Sequence, residues 1–123
     1  MIGFTLIINE TMKNKFAIPV ENGVLCSHFG HCTSFAIVEV EGNSIIDTNY
    51  VTPPLHEPGI LPMWLAENAV NEVIAGGIGQ SAVNLLNKQN IVVHIGATAK
   101  SPEELVNDRL KNTLITGVNA CNH

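Results

Sequence analysis

Two cysteines and two histidines fall within seven residues, Cys26 to Cys32, in the stretch V-L-C-S-H-F-G-H-C-T-S-F that spans Val24 to Phe35. Soft sulfur and imidazole donors are what thiophilic metals and metal–sulfur clusters bind. The spacing departs from the usual zinc arrangement, which pairs its ligands across two separated knuckles or helices. On a straight strand Cys26 and His28 share one face, while His31 and Cys32 point opposite ways. The four converge only if the chain turns at Phe29-Gly30, where glycine tolerates the angles a turn needs. The other reading is two half-buried cysteines and two surface histidines beside a turn, since free cysteine is among the most buried residue types. The C-terminal residues Cys121-Asn122-His123 add two more metal-capable donors.

A second chemical feature is Gly76-Gly77-Ile78-Gly79, which follows the short apolar run Glu72-Val73-Ile74-Ala75 and precedes a helix expected from about Gln80 to Lys88. It is only half of a dinucleotide fingerprint, which needs G-x-G-x-x-G after the first strand and an acidic residue about 20 positions on. No Gly-Lys-Ser/Thr follows, so it is not a P-loop. What remains is general. Glycines before a helix let a ligand approach the backbone, and the helix N-terminus offers N–H groups and partial positive charge to an anion. A tight strand-to-helix turn packed through glycine is the plainer alternative.

The elements that must position these residues read as follows. Lys15–Val20 is a first strand, with Pro19 marking a place where one edge is not fully paired. Glu21-Asn22-Gly23 is turn chemistry, and Val24–His28 is a second strand. Ser34–Glu41 and Ser44–Val51 are strands three and four, joined through Gly42-Asn43 as a two-residue hairpin loop. Thr52–Pro62 is a proline-rich loop with His56 in its middle, near the length at which loops tend to be functional. A helix follows, with Leu61, Trp64, Leu65 and Ala69 as one buried stripe and Pro62 in its first turn. The helix after the glycines turns Ala82, Leu85 and Leu86 inward, and Asn90–Gly96 is the next strand. Strand, glycine turn, helix and strand make a βαβ unit, so part of the sheet is parallel. His94 reads as a hydrogen-bonded core residue. Ser101-Pro102-Glu103-Glu104 is a capped helix start, with Leu105, Val106 and Leu110 on the apolar side.

At 123 residues the chain is expected to be one domain that folds without disulfides or structural metal. Charged residues are 14% and apolar residues 46%, which excludes disorder. A net charge of −5 with a single arginine argues against a nucleic-acid groove and against an anionic membrane surface. An odd cysteine count and no visible signal peptide predict reduced thiols in a cytoplasmic protein. Met1–Ile8 is apolar but too short to span a membrane. Residues 1–14 read as an N-terminal appendage or an alternative start, with Met12 a second possible initiator and an extra edge strand the competing reading. Residues 15–123 read as the single domain with its Cys-x-His tail.

Together these pieces resemble the dinitrogenase iron–molybdenum cofactor biosynthesis family, the small domain of nitrogenase-cofactor carrier proteins. Phe16-Ala17-Ile18-Pro19-Val20 is similar to that family's opening strand, and Ser27-His28-Phe29-Gly30 with Phe35 to its S-x-H-F-G…F signature, although Ser27 directly precedes His28 here. Gly59–Leu65 resembles G-x-L-P-x-W-L, Val73–Gly79 resembles V-I-A-G-G-I-G, and the Cys121–His123 ending resembles a tail of many members. The resemblance implies an α/β, ribonuclease-H-like fold with a mixed, five-stranded-type sheet flanked by helices. It implies no nuclease activity, which needs clustered carboxylates on two metals; the chain has only Asp47 and Asp108 as aspartates. The implied role is non-catalytic: binding and carrying an iron–sulfur or molybdenum–iron–sulfur cluster, or its precursor.

On this reading His28 is the first cluster contact, and Gly76, Gly77 and Gly79 supply the backbone N–H cradle. Ser27, Phe29 and Gly30 shape the pocket mouth. Cys26 is either an additional ligand or a packing substitute, and His31, Cys32, Cys121 and His123 complete the candidate metal donors. Partners are expected to be the cluster and cofactor-biosynthesis proteins, with the chain a monomer or weak homo-oligomer. The competing function is a regulatory or scaffolding module that binds a protein through an apolar sheet edge and needs no metal. A small hydrolase or nucleotide-binding enzyme built on the glycine turn ranks last, because Ser81 has no evident catalytic partner.

Overall fold

A computed structural model describes residues 13–54, 57 and 59–117. The chain runs β1 (Lys13–Glu21), β2 (Val24–Leu25), a 3-10 turn (Phe29–His31), β3 (Ser34–Glu41), β4 (Ser44–Val51), α1 (Ile60–Glu67), β5 (Glu72–Ile74), α2 (Gln80–Lys88), β6 (Val92–His94) and α3 (Pro102–Leu110). Met1–Ile8, His56, Cys121 and His123 lie outside the described residues.

The six strands form one mixed sheet in the order β4-β3-β1-β5-β6, with the two-residue β2 paired to the end of β1. β1, β3 and β4 pair antiparallel, whereas β1–β5 and β5–β6 are parallel. The parallel pairing of β5 with β6 across α2 is the βαβ unit expected from the glycine turn. A five-strand path with one short extra strand thus replaces the expected five-stranded-type sheet.

Side chains alternate across this sheet as the pleat requires. Ala17, Phe35, Ile37, Val73 and Ala75 face one way and pack with Leu61 and Leu65 of α1 and Val83 and Leu86 of α2. Phe16, Ile18, Val20, Ala36, Val38 and Ile74 face the other way and pack with Leu105 and Val106 of α3. The result is a sheet with two helices on one face and one on the other.

Several local expectations hold for identifiable reasons. Asn22 and Gly23 both have positive φ, the requirement of the tight hairpin turn between β1 and β2. The Pro19 carbonyl accepts from the Cys26 N–H, so its missing N–H falls on the side where β1 pairs with β5 only at Phe16–Ala17 and with β2 only at Val20–Glu21. Ser101 accepts from the Glu104 N–H while the Glu104 carboxylate accepts from the Ser101 N–H, closing the capping box.

Other boundaries differ. β1 begins at Lys13 instead of Lys15. The second strand stops at Leu25 instead of His28, because the chain leaves β1 to pair with the β5 extension. The strand expected over 90–96 is regular only at Val92–His94. Ala69 is not on the α1 stripe: the helix ends at Glu67, and Ala69 has φ +62 and is exposed. Leu85, expected inward, is 36% exposed because it borders a cavity.

Candidate functional site

The opening motif and the glycine turn, some fifty residues apart in sequence, are joined by backbone hydrogen bonds. The Gly77 N–H donates to the Ser27 carbonyl at 2.8 Å, and the Phe29 N–H donates to the Gly77 carbonyl at 2.9 Å. These bonds form an isolated parallel bridge between His28 and Gly77. β5 therefore continues past Ile74, and its extension carries the loop that holds His28.

The 3-10 turn follows directly. Phe29 is buried, its ring edge-on to Phe35 at 5.5 Å. Phe35 in turn meets Trp64 of α1 edge-on at 5.6 Å, so Trp64 anchors the core as well as flanking the site. With Phe29 pinned, His28 and His31 on either side project as exposed residues with rings edge-on at 6.2 Å. The H-F-G-H order is thus one anchor between two presented imidazoles.

Both histidines line a cavity of about 620 Å³ between this turn, α1 and α2. That volume suits a small ligand. Phe29, Leu61, Pro62, Ile78, Ala82 and Leu85 give it apolar walls, and His28, His31, Glu57 and Ser81 are its polar side chains. The N-terminus of α2 opens into it at Gly79 and Ser81. The N-cap of α2 is Gly79, which makes no side-chain cap hydrogen bond, and the first N–H groups of any helix lack intrahelical acceptors. The start of α2 thus presents partial positive charge to the cavity in an acidic protein. Glu57 opposes an anion, but it is exposed at the rim, where water screens it.

The glycines do separate jobs. Gly77 spends its N–H on Ser27. Gly76 abuts the Cys26 and Ser27 carbonyls. Gly79 caps α2 at an ordinary φ of −68, and a Cβ built there meets nothing within 4 Å. Gly79→Ala is therefore expected to change stability by less than about 1 kcal/mol while placing a methyl group in the cavity at the helix terminus. Thermal unfolding and ligand titration of the same variant check both halves.

The four sulfur and imidazole donors of the opening motif do not share one space. His28 and His31 line the large cavity. Cys26 is 6% exposed and, with Ser27, lines a smaller cavity of about 250 Å³ bounded by Leu25, Gly76, Gly96 and Ala97. Cys32 and Gly30 face a third, of about 280 Å³, against Thr52, Pro53 and Pro54; Gly30 also borders the first. Among the described residues no group of three or more His, Cys, Asp or Glu could hold a metal ion. Burial, and then electrostatic interaction with the neighbouring Cys26, push the Cys32 thiol up to about 11. It stays protonated at neutral pH, and the thiolate is the ligating form.

Sequence reasoning missed Glu57, Leu61, Pro62, Ala82 and Leu85 as cavity residues. The signal was present in part: Ser81, Ala82 and Leu85 lie at helical spacing on one side of α2, but that side reads as core until the gap between the helices is known.

A family model described as dinitrogenase iron-molybdenum cofactor matches residues 12–112. The uncharacterized protein MJ0580 of Methanocaldococcus jannaschii is 33% identical over 94 residues, 72% of this chain and 80% of the relative. The crystal structure of PH0822 superposes with a TM-score of 0.77 at 26% identity, covering 83% of this chain and 93% of that one. The apo form of the orange protein from Desulfovibrio gigas shares the fold, with a TM-score of 0.68 at 19% identity over 86% and 94% of the two chains. No helix among the described residues is long and apolar enough to cross a membrane.

Proposed function

The chain belongs to the dinitrogenase iron-molybdenum cofactor family, and on that footing we propose that it binds and carries an anionic metal–sulfur cluster, or its precursor, in the cavity beside His28. The observation that carries this reading is the convergence on one cavity of two imidazoles and a helix N-terminus that begins at glycine, within apolar walls. Imidazole suits iron, copper and related metals. The helix terminus supplies N–H donors and partial positive charge to sulfide or oxo ligands without adding a cationic side chain.

Among the described residues, no cysteine lines this cavity. On this reading the cargo brings its own sulfides and takes imidazole ligands from His28 and His31. This differs from a resident iron–sulfur centre, which is held by cysteine thiolates. Leu61, Pro62 and Leu85 exclude water on one side, and Phe29 fixes the histidine turn on the other. Nothing here requires turnover, so the role is non-catalytic, in a reduced cytoplasmic setting where thiols and sulfides survive. We read the sheet order, with helices on both faces, as ribonuclease-H-like.

The scaffold reading draws on the exposed Ile46 and Tyr50 of β4, an edge strand. The register of β3 against β4 shifts beside Ile46, and such bulges blunt edges against pairing.

Anaerobic titration with a thiomolybdate anion tests the cargo reading. His28→Ala is expected to weaken binding at least tenfold, about 1.4 kcal/mol, with the unfolding midpoint unchanged. Equal affinity in wild type and variant would remove His28 from the site.

A further inference from the structure

We propose that Cys26 and Cys32 are a covalent modification site, at which a small-molecule disulfide oxidises the pair to an intramolecular disulfide that closes a ring round the histidine turn. The bond itself does not depend on the cargo reading; its effect on the large cavity rests on that reading.

Strand alternation puts both thiols on one side of the sheet. Leu25 pairs with Val20, and both belong to the core on the α3 side. Cys26 is one residue further on, its N–H donating to the Pro19 carbonyl at 2.8 Å, so its side chain turns to the opposite face. Glu21, next to Val20, turns the same way, and the Cys26 Sγ lies 3.7 Å from Glu21 Oε1. Cys32 packs against the core on that same face, the side of α1 and α2. After burial, the groups that raise the Cys32 pKa are Cys26 and Glu21. The three side chains are therefore neighbours at the end of β1.

The two cysteines line different cavities, yet both sulfurs turn back onto the backbone between them. The Cys26 thiol donates to the His28 carbonyl at 3.4 Å, and the Cys32 thiol donates to the Phe29 carbonyl at 3.6 Å. These carbonyls belong to consecutive residues. A disulfide holds its two Cβ atoms about 3.5–4.5 Å apart. Closing it replaces the two thiol–carbonyl contacts and draws in the ends of a segment whose own backbone bond runs from the His31 N–H to the His28 carbonyl at 3.1 Å. His28 and His31 both lie inside the ring, so the bond resets the imidazoles that line the large cavity.

The chemistry is thiol–disulfide exchange. One cysteine, as thiolate, attacks the small disulfide and displaces one of its thiols. The other cysteine loses its proton and attacks the mixed disulfide, displacing the second. Two protein S–H bonds give way to one S–S bond, and two small thiols carry off the protons and the electron pair. Transient disulfides of this kind are the ones that reducing compartments use for redox sensing.

The test treats the full-length protein with oxidised glutathione, alkylates the thiols that remain and maps the digested chain by mass. Cleavage after Phe29 leaves the pieces carrying Cys26 and Cys32 joined through the disulfide alone, until a reductant parts them. That link is expected in wild type and in Cys121→Ser, and is absent from Cys32→Ser. Oxidised wild type should bind thiomolybdate at least tenfold more weakly than the reduced protein, with recovery on reduction and no change in identically treated Cys32→Ser. Cys26 and Cys32 both left open to alkylation, or joined to Cys121, to a second chain or to glutathione alone, would overturn the site. Equal affinity of the reduced and oxidised forms would overturn its link to the histidine turn. If the reduced protein binds no thiomolybdate, the cargo reading fails and the mapping alone decides the disulfide.

Discussion

Phe35→Ala is expected to remove about 3–5 kcal/mol of stability, the range for truncating a buried aromatic. Phe35 has no exposed surface and sits in the middle of an aromatic stack, with Phe29 at 5.5 Å and Trp64 at 5.6 Å. Truncation loses the transfer free energy of the ring, opens a cavity and removes two edge-on contacts worth roughly 0.5–1.5 kcal/mol each. That is a large share of the 5–15 kcal/mol typical of a domain. The effect reaches the site because Phe29, which rests on Phe35, is the anchor between His28 and His31. Urea unfolding measures the loss. A change under 1 kcal/mol would mean that the stack is not what fixes the histidine turn.

The second large effect concerns Glu72, the buried acid at the start of β5, 6% exposed. It makes four contacts with three side chains from three other elements: His94 Nε2 lies 2.7 Å from Oε1, Asn14 Nδ2 donates to Oε2 at 2.6 Å, and Arg109 donates through Nε at 3.0 Å and a second nitrogen at 3.4 Å. Burial alone would raise this carboxyl. The hydrogen bonds from His94 and Asn14, with the positive Arg109, outweigh it and hold the group below the ordinary glutamate range. The sign follows from linkage: a carboxyl with a depressed folded pKa stabilises fully above its unfolded value, and that stability is lost as pH falls through the folded one. The window therefore lies below the unperturbed glutamate pKa of about 4.3.

Glu72→Gln is expected to cost about 2–4 kcal/mol at neutral pH. The figure is below the full buried-pair value because Arg109 is about a third exposed. The same change should flatten the acid limb of the stability–pH curve. Parallel curves for wild type and variant would show that the network adds no pH-linked stability.

These two residues also show what the sequence could and could not reveal. Strands over 34–41 and 44–51, the helix over 80–88 and the capping box at Ser101–Glu104 are local patterns, and periodicity and turn chemistry specify them. The hydrogen bonding of His94 was legible, although the residue is half-buried instead of in the core, and Glu72 read only as the first residue of a short strand. Its partners lie 58, 22 and 37 positions away, and no local pattern encodes such distances.

The site divides the same way. The turn at Phe29-Gly30 was legible from its glycine. That Gly77 is zipped to Ser27 and Phe29 was not, because a parallel bridge has no short-range signature. The even spacing of Cys26 and His28 places them on one side of an ideal strand, yet they line different cavities because the strand stops at Leu25. The grouping of Cys26, His28, His31 and Cys32 in sequence is therefore a poor guide to their grouping in space. The space between the histidine turn, α1 and α2, not the motif, decides which residues complete the cavity.

The measurement closest to the central claim is anaerobic reconstitution with iron, sulfide and molybdate, followed by elemental analysis and an absorption spectrum, on wild type, His28→Ala and Gly79→Ala. The account predicts a coloured protein with near-stoichiometric metal and acid-labile sulfide, and charge-transfer bands that are lost or weakened in both variants while their folds persist. Protein that stays colourless and metal-free under all these conditions, or colour retained equally in both variants, would contradict a cluster seated between His28 and the start of α2.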